Sequence, residues 1–160
     1  RRAEIQRILP DTLKIWVVER VAIARIGDLN TPYPLTIDRH GVVMGRSAQA
    51  ASLPIITGAG SAIHKPGQPT EDEGALLAIS LLDQCAGDKR LSRILHIERI
   101  DVSHPDHVDV YIDKNRVGHL SRKNVSARLR DFAVDVQDAE THGRNWTDYN
   151  ITVEKNHAVR

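Results

Sequence analysis

Regular alternation of apolar and polar positions marks the first well-defined element of the chain. One face of this element carries Leu13, Ile15 and Val17, with other residues between them. A period of two with β-branched side chains predicts a β-strand. The turn-forming pair Pro10-Asp11 precedes this strand. The apolar run 21–26 that follows predicts a second, shorter strand.

A cluster of turn-forming residues interrupts the pattern at 27–34, where Gly, Asp, Asn, Thr and Pro accumulate. Such a cluster predicts a long loop or linker. We therefore place a domain boundary there and predict two domains, residues 1–27 and residues 28–160. Soon after the boundary, the apolar positions of segment 35–44 flank Gly41 and predict a β-hairpin in which this glycine adopts a positive φ.

Two stretches with apolar residues at helical spacing follow. The first covers residues 71–87 after the capping candidate Thr70, and the second covers residues 121–136. Strands are predicted around them at 94–102, 108–112 and 146–153. Together these elements predict an α+β fold, in which a mixed, largely antiparallel sheet carries two helices on one face.

Composition narrows the class of protein. The chain has 22 Lys and Arg against 21 Asp and Glu, so no overall field attracts nucleic acid, and we expect none as a partner. Cys85 is the single cysteine, which excludes an internal disulfide and a cysteine-based zinc cluster. No apolar run reaches the roughly 18 to 20 residues that span a bilayer. Because Arg1 begins inside a structured region, we expect a piece of a longer protein.

Four motifs follow one another along the chain: LPDTLKIWVVERVAIAR from Leu9, LTIDRHGVV from Leu35, LPIITG from Leu53 and DYNITV from Asp148. In order and spacing they resemble the motifs of the FtsQ/DivIB family of bacterial cell-division proteins. The chain departs from the family pattern at three positions. Leu9 stands where the family usually has Trp, Ala22 where it has Pro, and Asn150 where it has Asp.

The resemblance implies a non-enzymatic scaffold of the divisome with no cofactor. Residues 1–27 would be the C-terminal part of a POTRA domain, and residues 28–160 the family's β domain. The parent would be a single-pass inner-membrane protein at the division septum, with this region in the periplasm and its transmembrane helix outside this chain. The implied partners are division proteins of the FtsB and FtsL type.

In that family the last strand accepts a partner segment by β-strand addition, and a final strand does offer unpaired backbone groups. The candidate partner-binding residues are Thr147, Asp148, Tyr149, Asn150, Ile151, Thr152 and Val153. The alternative is that Tyr149, Ile151 and Val153 are plain core and that the segment after residue 153 covers the edge.

Two rival functions remain open. Another POTRA-containing module, from an outer-membrane assembly or secretion protein, would share the first strands. A metal-dependent hydrolase is the weaker rival, suggested by His104-Pro105-Asp106-His107. Zinc needs three or four converging ligands, whereas Pro and Asp also suit a hairpin turn. We therefore predict no metal, and we expect most of the carboxylates of this region, such as Asp109, to lie on a solvated face.

A second recognition spot is suggested by Trp16, beside Lys14 and Arg20. Exposed aromatic and arginine side chains commonly anchor interfaces. We expect the missing helices of the POTRA domain to cover this spot instead.

Overall fold

The structure is a computed structural model that describes residues 2–8, 11–32, 34–60, 65–113, 115–152 and 157–159. These residues form two sheets and three α-helices. The predicted α+β class is confirmed.

The first two strands form a small sheet of their own. β1 (Arg2–Ile8) and β2 (Thr12–Val18) pair antiparallel, with Ile5 opposite Ile15. The alternation in the sequence thus correctly predicted β2. Large apolar side chains are nevertheless exposed here, since Ile5 is 67% and Ile15 57% accessible. An isolated hairpin buries too little surface to be stable alone, so this one presents an apolar surface suited to packing.

Nine further strands in the described residues form one large sheet. In chain order they are β3 (Ala22–Ile26), β4 (Leu35–Asp38), β5 (Val43–Arg46), β6 (Ile55–Thr57), β7 (Arg99–Asp101), β8 (His107–Tyr111), β9 (Val117–Ser121), β10 (Asp148–Ile151) and β11 (His157–Val159). Their spatial order is β11-β10-β9-β8-β7-β6-β3-β4-β5. The pairs β10 with β9, β7 with β6 and β6 with β3 are parallel, and the other pairs are antiparallel.

The predicted domain boundary falls within a continuous sheet. β3, which lies before the turn-forming segment, pairs with β4 and also with β6. The hairpin of β1 and β2 is therefore the part of residues 1–27 that stands apart from the large sheet.

Three α-helices accompany the large sheet: α1 (Glu73–Gly87), α2 (Lys89–Ile94) and α3 (Val125–Thr141). The N-cap of α1 is Asp72, whose carboxylate accepts a hydrogen bond from the Ala75 N–H at 2.7 Å. The predicted cap, Thr70, lies two residues too early. Asp72 satisfies one of the free amides at the helix start.

α2 corrects part of the sequence prediction, which had assigned its last residue, Ile94, to a strand. Asp88 caps this short helix by accepting hydrogen bonds from the N–H groups of Arg90 and Leu91. The strand then begins only at Arg99.

α3 packs closely on one face of the sheet, and the short α2 is a helix beyond the two that were predicted. The register places Gly118 beside Val110 and Val110 beside Ile100, so these residues share a face. A Cβ atom built on Gly118 would lie 2.7 Å from the ring of Phe132 in α3. Glycine therefore lets α3 approach the sheet closely. The opposite face carries polar residues, among them Asp109 directly opposite His119.

Candidate functional site

The large sheet ends in two outer strands, β5 and β11, and the outer side of β5 is paired with its own chain at its first residue, Val43. The Val43 N–H donates to the Gln68 carbonyl at 2.9 Å, and the Gly67 N–H donates to the Val43 carbonyl at 2.8 Å. Val42 also forms a β-bridge with Pro69. At Val42 and Val43, backbone groups that would otherwise attract a foreign strand are thus occupied by residues 67–69.

The other outer strand, β11, has a neighbour on one side only among the described residues. That neighbour is β10, which pairs with it antiparallel, placing Asn150 opposite His157 and Asp148 opposite Val159. The outer side of β11 therefore presents backbone N–H and C=O groups to which another strand can pair.

The predicted partner-binding strand lies one position inside this edge. β10 pairs with β9 on one side and with β11 on the other. The free edge expected of this strand is instead occupied by residues 157–159, as the alternative interpretation anticipated. Whether the residues of β10 take part in partner binding stays a prediction.

The buried side of β10 supports the edge through an aromatic cluster. Ile151 is fully buried. The ring of Tyr149 lies 6.0 Å from Trp146 and 6.1 Å from Phe132, and Trp146 makes an edge-to-face contact with Phe132 at 5.8 Å. Burial raises the pKa of Tyr149, and the nearby Asp135 carboxylate adds to the shift. This hydroxyl stays neutral, so the cluster acts as packing.

Residues at both ends of the predicted site form hydrogen bonds within the chain. The Thr147 carbonyl accepts a hydrogen bond from the Val117 N–H at 3.0 Å. The Asn150 side-chain oxygen accepts from the Thr152 N–H at 3.0 Å and from the Thr152 hydroxyl at 2.6 Å. These bonds fix the strand and the turn behind it. Val153 lies outside the described residues.

On the polar face, a chain of charged groups connects β10 to β8. His119 lies 3.0 Å from Asp148 through Nε2 and 2.6 Å from Asp109 through Nδ1. Partial burial alone would lower the pKa of His119, but the hydrogen bonds with Asp109 and Asp148 raise it above its ordinary value. His119 thus bridges two carboxylates across three strands.

The Asp109 carboxylate also faces His104 and His107, the two histidines that the sequence pattern assigned to a turn. His104 Nε2 lies 3.7 Å from Asp109 Oδ2, and His107 Nε2 lies 3.4 Å from Asp109 Oδ1. Asp109 is only 6% exposed, so it departs from the solvated face expected for this group of carboxylates. The sequence does not reveal this convergence, because it arises from the register of β8 against β9.

The second recognition spot suggested by the sequence is not assembled. Trp16 is half exposed on β2. Arg20, however, donates through Nη1 to Asp38 at 2.6 Å, tying the segment before β3 to the end of β4. Its charge is therefore committed to a partner within the chain.

One strand that the sequence did not predict is β11. Its three residues, His157–Val159, are too few to display a period of two. A short apolar Ala-Val pair near the end of the chain is the one available signal.

Comparison with known proteins identifies the relationship. No individually curated protein matches the chain at the level required for significance. Across the described residues, no helix has the length and hydrophobicity needed to cross a membrane. The family model described as cell division protein FtsQ/DivIB, C-terminal, matches residues 30–148. That match covers most of the chain, agrees with the motifs, and shows that this chain belongs to the FtsQ/DivIB family of cell-division proteins.

Proposed function

We propose that this chain is a non-enzymatic scaffold of the divisome that binds division proteins of the FtsB and FtsL type by β-strand addition. The observation that carries the proposal is the outer side of β11, which has no neighbour among the described residues. A partner strand laid beside β11 would extend the sheet. Main-chain hydrogen bonds would supply affinity, and alternate side chains would supply selectivity.

The contrast with the opposite edge supports this choice. At the start of β5, residues 67–69 already pair with Val42 and Val43. At β11 no described residue pairs with the outer side, and the neighbouring strand β10 packs on the core through Ile151 and Tyr149. An edge built on a rigid strand loses little order when a partner binds, which favours affinity.

In this arrangement β10, which belongs to the predicted residues 147–153, would lie one strand away from the bound partner segment. Asp148 lies opposite Val159 in the register, within one strand of the proposed partner position. A carboxylate close to an edge discourages indiscriminate strand pairing.

The proposed domain organisation follows the same family. We propose that the hairpin of β1 and β2 is the end of a POTRA domain whose remaining elements cover the exposed side chains of Ile5, Ile15 and Trp16. The parent would carry one transmembrane helix outside this chain and place the region in the periplasm at the septum. The family as a whole consists of division-complex proteins of the inner membrane.

Amide exchange measured by NMR tests the proposed edge directly. A synthetic FtsB-type segment from the same organism is added to the 160-residue chain. Outward-pointing amides among residues 157–159 should become protected, because they gain a hydrogen-bond acceptor. The Val43 amide of β5 serves as an internal control, since Gln68 already accepts from it.

Protection of β11 together with recovery of FtsB- and FtsL-type proteins by the full-length protein from membranes would support the proposal. Binding that protects β5 or the β1–β2 hairpin and leaves β11 unchanged would refute strand addition at this edge. Failure to recover any division protein from membranes would refute the scaffold function itself.

A further inference from the structure

We propose, against the expectation from the sequence, that His104, His107 and Asp109 form a binding site for one divalent transition-metal ion of the zinc class. Each side chain offers one ligand atom, and these atoms lie within 4.8 Å of one another. Imidazole nitrogen and carboxylate oxygen are both common zinc ligands. The site lies on the polar face of the sheet, away from the helices.

The backbone brings the three residues together for simple geometric reasons. His107 and Asp109 are two residues apart in β8, so they point to the same face of the sheet. His104 precedes them in the turn between β7 and β8, and its ring stacks on that of His107 with 4.3 Å between centroids. The turn thus folds one histidine back over the strand that carries the other two ligands.

The distances fit two ligands that share an ion better than they fit direct hydrogen bonds. Asp109 Oδ2 lies 3.7 Å from His104 Nε2, which is beyond ordinary hydrogen-bond length. Two ligands bound tetrahedrally to one zinc at about 2.0 to 2.2 Å are on the order of 3.3 Å apart. His107 Nε2 lies 3.4 Å from Asp109 Oδ1. Small side-chain rotations would therefore complete the coordination.

Outer hydrogen bonds already orient two of the ligands. His107 Nδ1 lies 2.8 Å from Asp106 Oδ1, so this nitrogen carries the proton and Nε2 keeps its lone pair for a metal. His119 Nδ1 lies 2.6 Å from Asp109 Oδ1, which holds the carboxylate in place. Carboxylate–histidine–metal arrangements of this kind are the usual outer shell of protein zinc sites.

The bound ion would fasten the turn at residues 103–106 to the body of the sheet. Three protein ligands leave one tetrahedral position for water. The proposal does not depend on the partner-binding function, because the three ligands lie on β8 and the turn before it.

Isothermal titration of the untagged, metal-stripped 160-residue chain with zinc chloride tests the site. We expect one ion per chain. Substitution of His104 or His107 by alanine should weaken zinc binding at least tenfold. Asp106→Asn should weaken it roughly tenfold, because a carboxylate then no longer holds the proton on His107 Nδ1. His96→Ala, which removes an exposed histidine elsewhere, should leave binding unchanged. Saturable binding that survives both His104→Ala and His107→Ala would overturn the proposal, as would the absence of saturable binding.

NMR of the wild-type imidazole resonances gives an answer that requires no variant. Zinc should shift the signals of His104 and His107, whereas those of His96 and His142 should stay in place. The reverse pattern would overturn the assignment even if the chain binds one ion.

Discussion

The two outer strands of the large sheet have the same exposed backbone chemistry but different neighbours. β5 is covered by residues 67–69, which pair with it through the N–H and C=O groups of Val43. β11 pairs with β10 alone among the described residues. An uncovered sheet edge promotes aggregation with other chains unless a specific partner covers it. This difference is the reason why we propose β11, and not β5, as the edge that binds a partner.

The two edges also differ in how they connect to the core. β4, next to β5, carries the fully buried Ile37, and β10, next to β11, carries the fully buried Ile151. Both edges thus rest on a strand that is part of the core. The edges at β5 and β11 therefore differ in their pairing with residues of the same chain, and they do not differ in their support from the core.

Truncation of Ile151, the buried side chain of the strand beside β11, should have the largest effect on stability. Ile151→Ala should lower the free energy of unfolding by about 2 to 5 kcal/mol, because a fully buried aliphatic side chain is lost and a cavity remains. Ile37→Ala, the matched change beside β5, should cost a similar amount. Urea unfolding followed by circular dichroism measures both. A loss below about 1 kcal/mol for Ile151→Ala alone would show that the β11 side is not part of the core.

Proline in β11 should weaken partner binding at least tenfold, which corresponds to about 1.4 kcal/mol. Neighbouring residues of a strand point their amides to opposite edges. Of Ala158→Pro and Val159→Pro, one therefore removes an outward donor and the other removes a bond to β10. Binding of the FtsB-type segment is measured by fluorescence anisotropy.

Arg46→Pro in β5 is the matched control for those two variants. It changes the opposite outer strand at a residue that pairs with Leu35 of β4, and it should leave the affinity for the segment unaltered. Equal loss of affinity at both edges would remove the functional distinction between them.

The ion pair at the end of β4 should make a smaller, pH-dependent contribution on the β5 side. Burial alone raises the pKa of Asp38, but hydrogen bonds from Arg20 and from the Val42 and His40 amides outweigh it and lower the pKa. Arg20→Ala should cost about 1 to 2 kcal/mol at neutral pH, because it leaves a buried carboxylate short of one charged donor.

The sign of this pH dependence follows from the lowered pKa of Asp38. The stabilisation is present above the ordinary carboxyl pKa of 3.8 and is lost as the pH falls through the lower folded value. Urea unfolding at pH 7 and near pH 3 should therefore show a deficit that shrinks in acid. Arg39→Ala breaks an exposed pair with Asp83 and should cost less than about 0.5 kcal/mol.

The smallest effect is expected in the segment that covers β5. Gly67 has a φ of +88°, so Gly67→Ala should cost about 1 kcal/mol through backbone strain. The Val43 amide should then exchange faster with solvent, because its acceptor Gln68 is held less firmly. Gly45→Ala is the control, since Gly45 lies in β5 without a positive φ and has open space around it. Unchanged exchange at Val43 in Gly67→Ala would mean that this glycine does not hold the cover in place.

The elements with a clear period were predictable from the sequence. Alternation identified β2, and the hairpin of β4 and β5 was recognised from Gly41, whose φ of +75° agrees with the prediction. The family resemblance and the fold class are likewise confirmed. These features depend on local chemistry, which a single sequence displays directly.

The parts that the sequence did not reveal depend on contacts between distant strands. β11 is too short for a pattern, so β10 was mistaken for the edge. Asp109 was expected to face solvent because alternation cannot show that His104, His107 and His119 converge on it. That convergence requires the register of β8 against β9, which only the assembled sheet provides.

The parallel pairing of β10 with β9 has a consequence for the order of assembly. Parallel neighbours need a long crossover, and here the chain runs through α3 before β10 can dock. Contacts that close such a long loop form late in folding. The surface offered to a partner would thus be completed only after this crossover has closed. Recognition at β11 would then report that α3 and β10 have already docked.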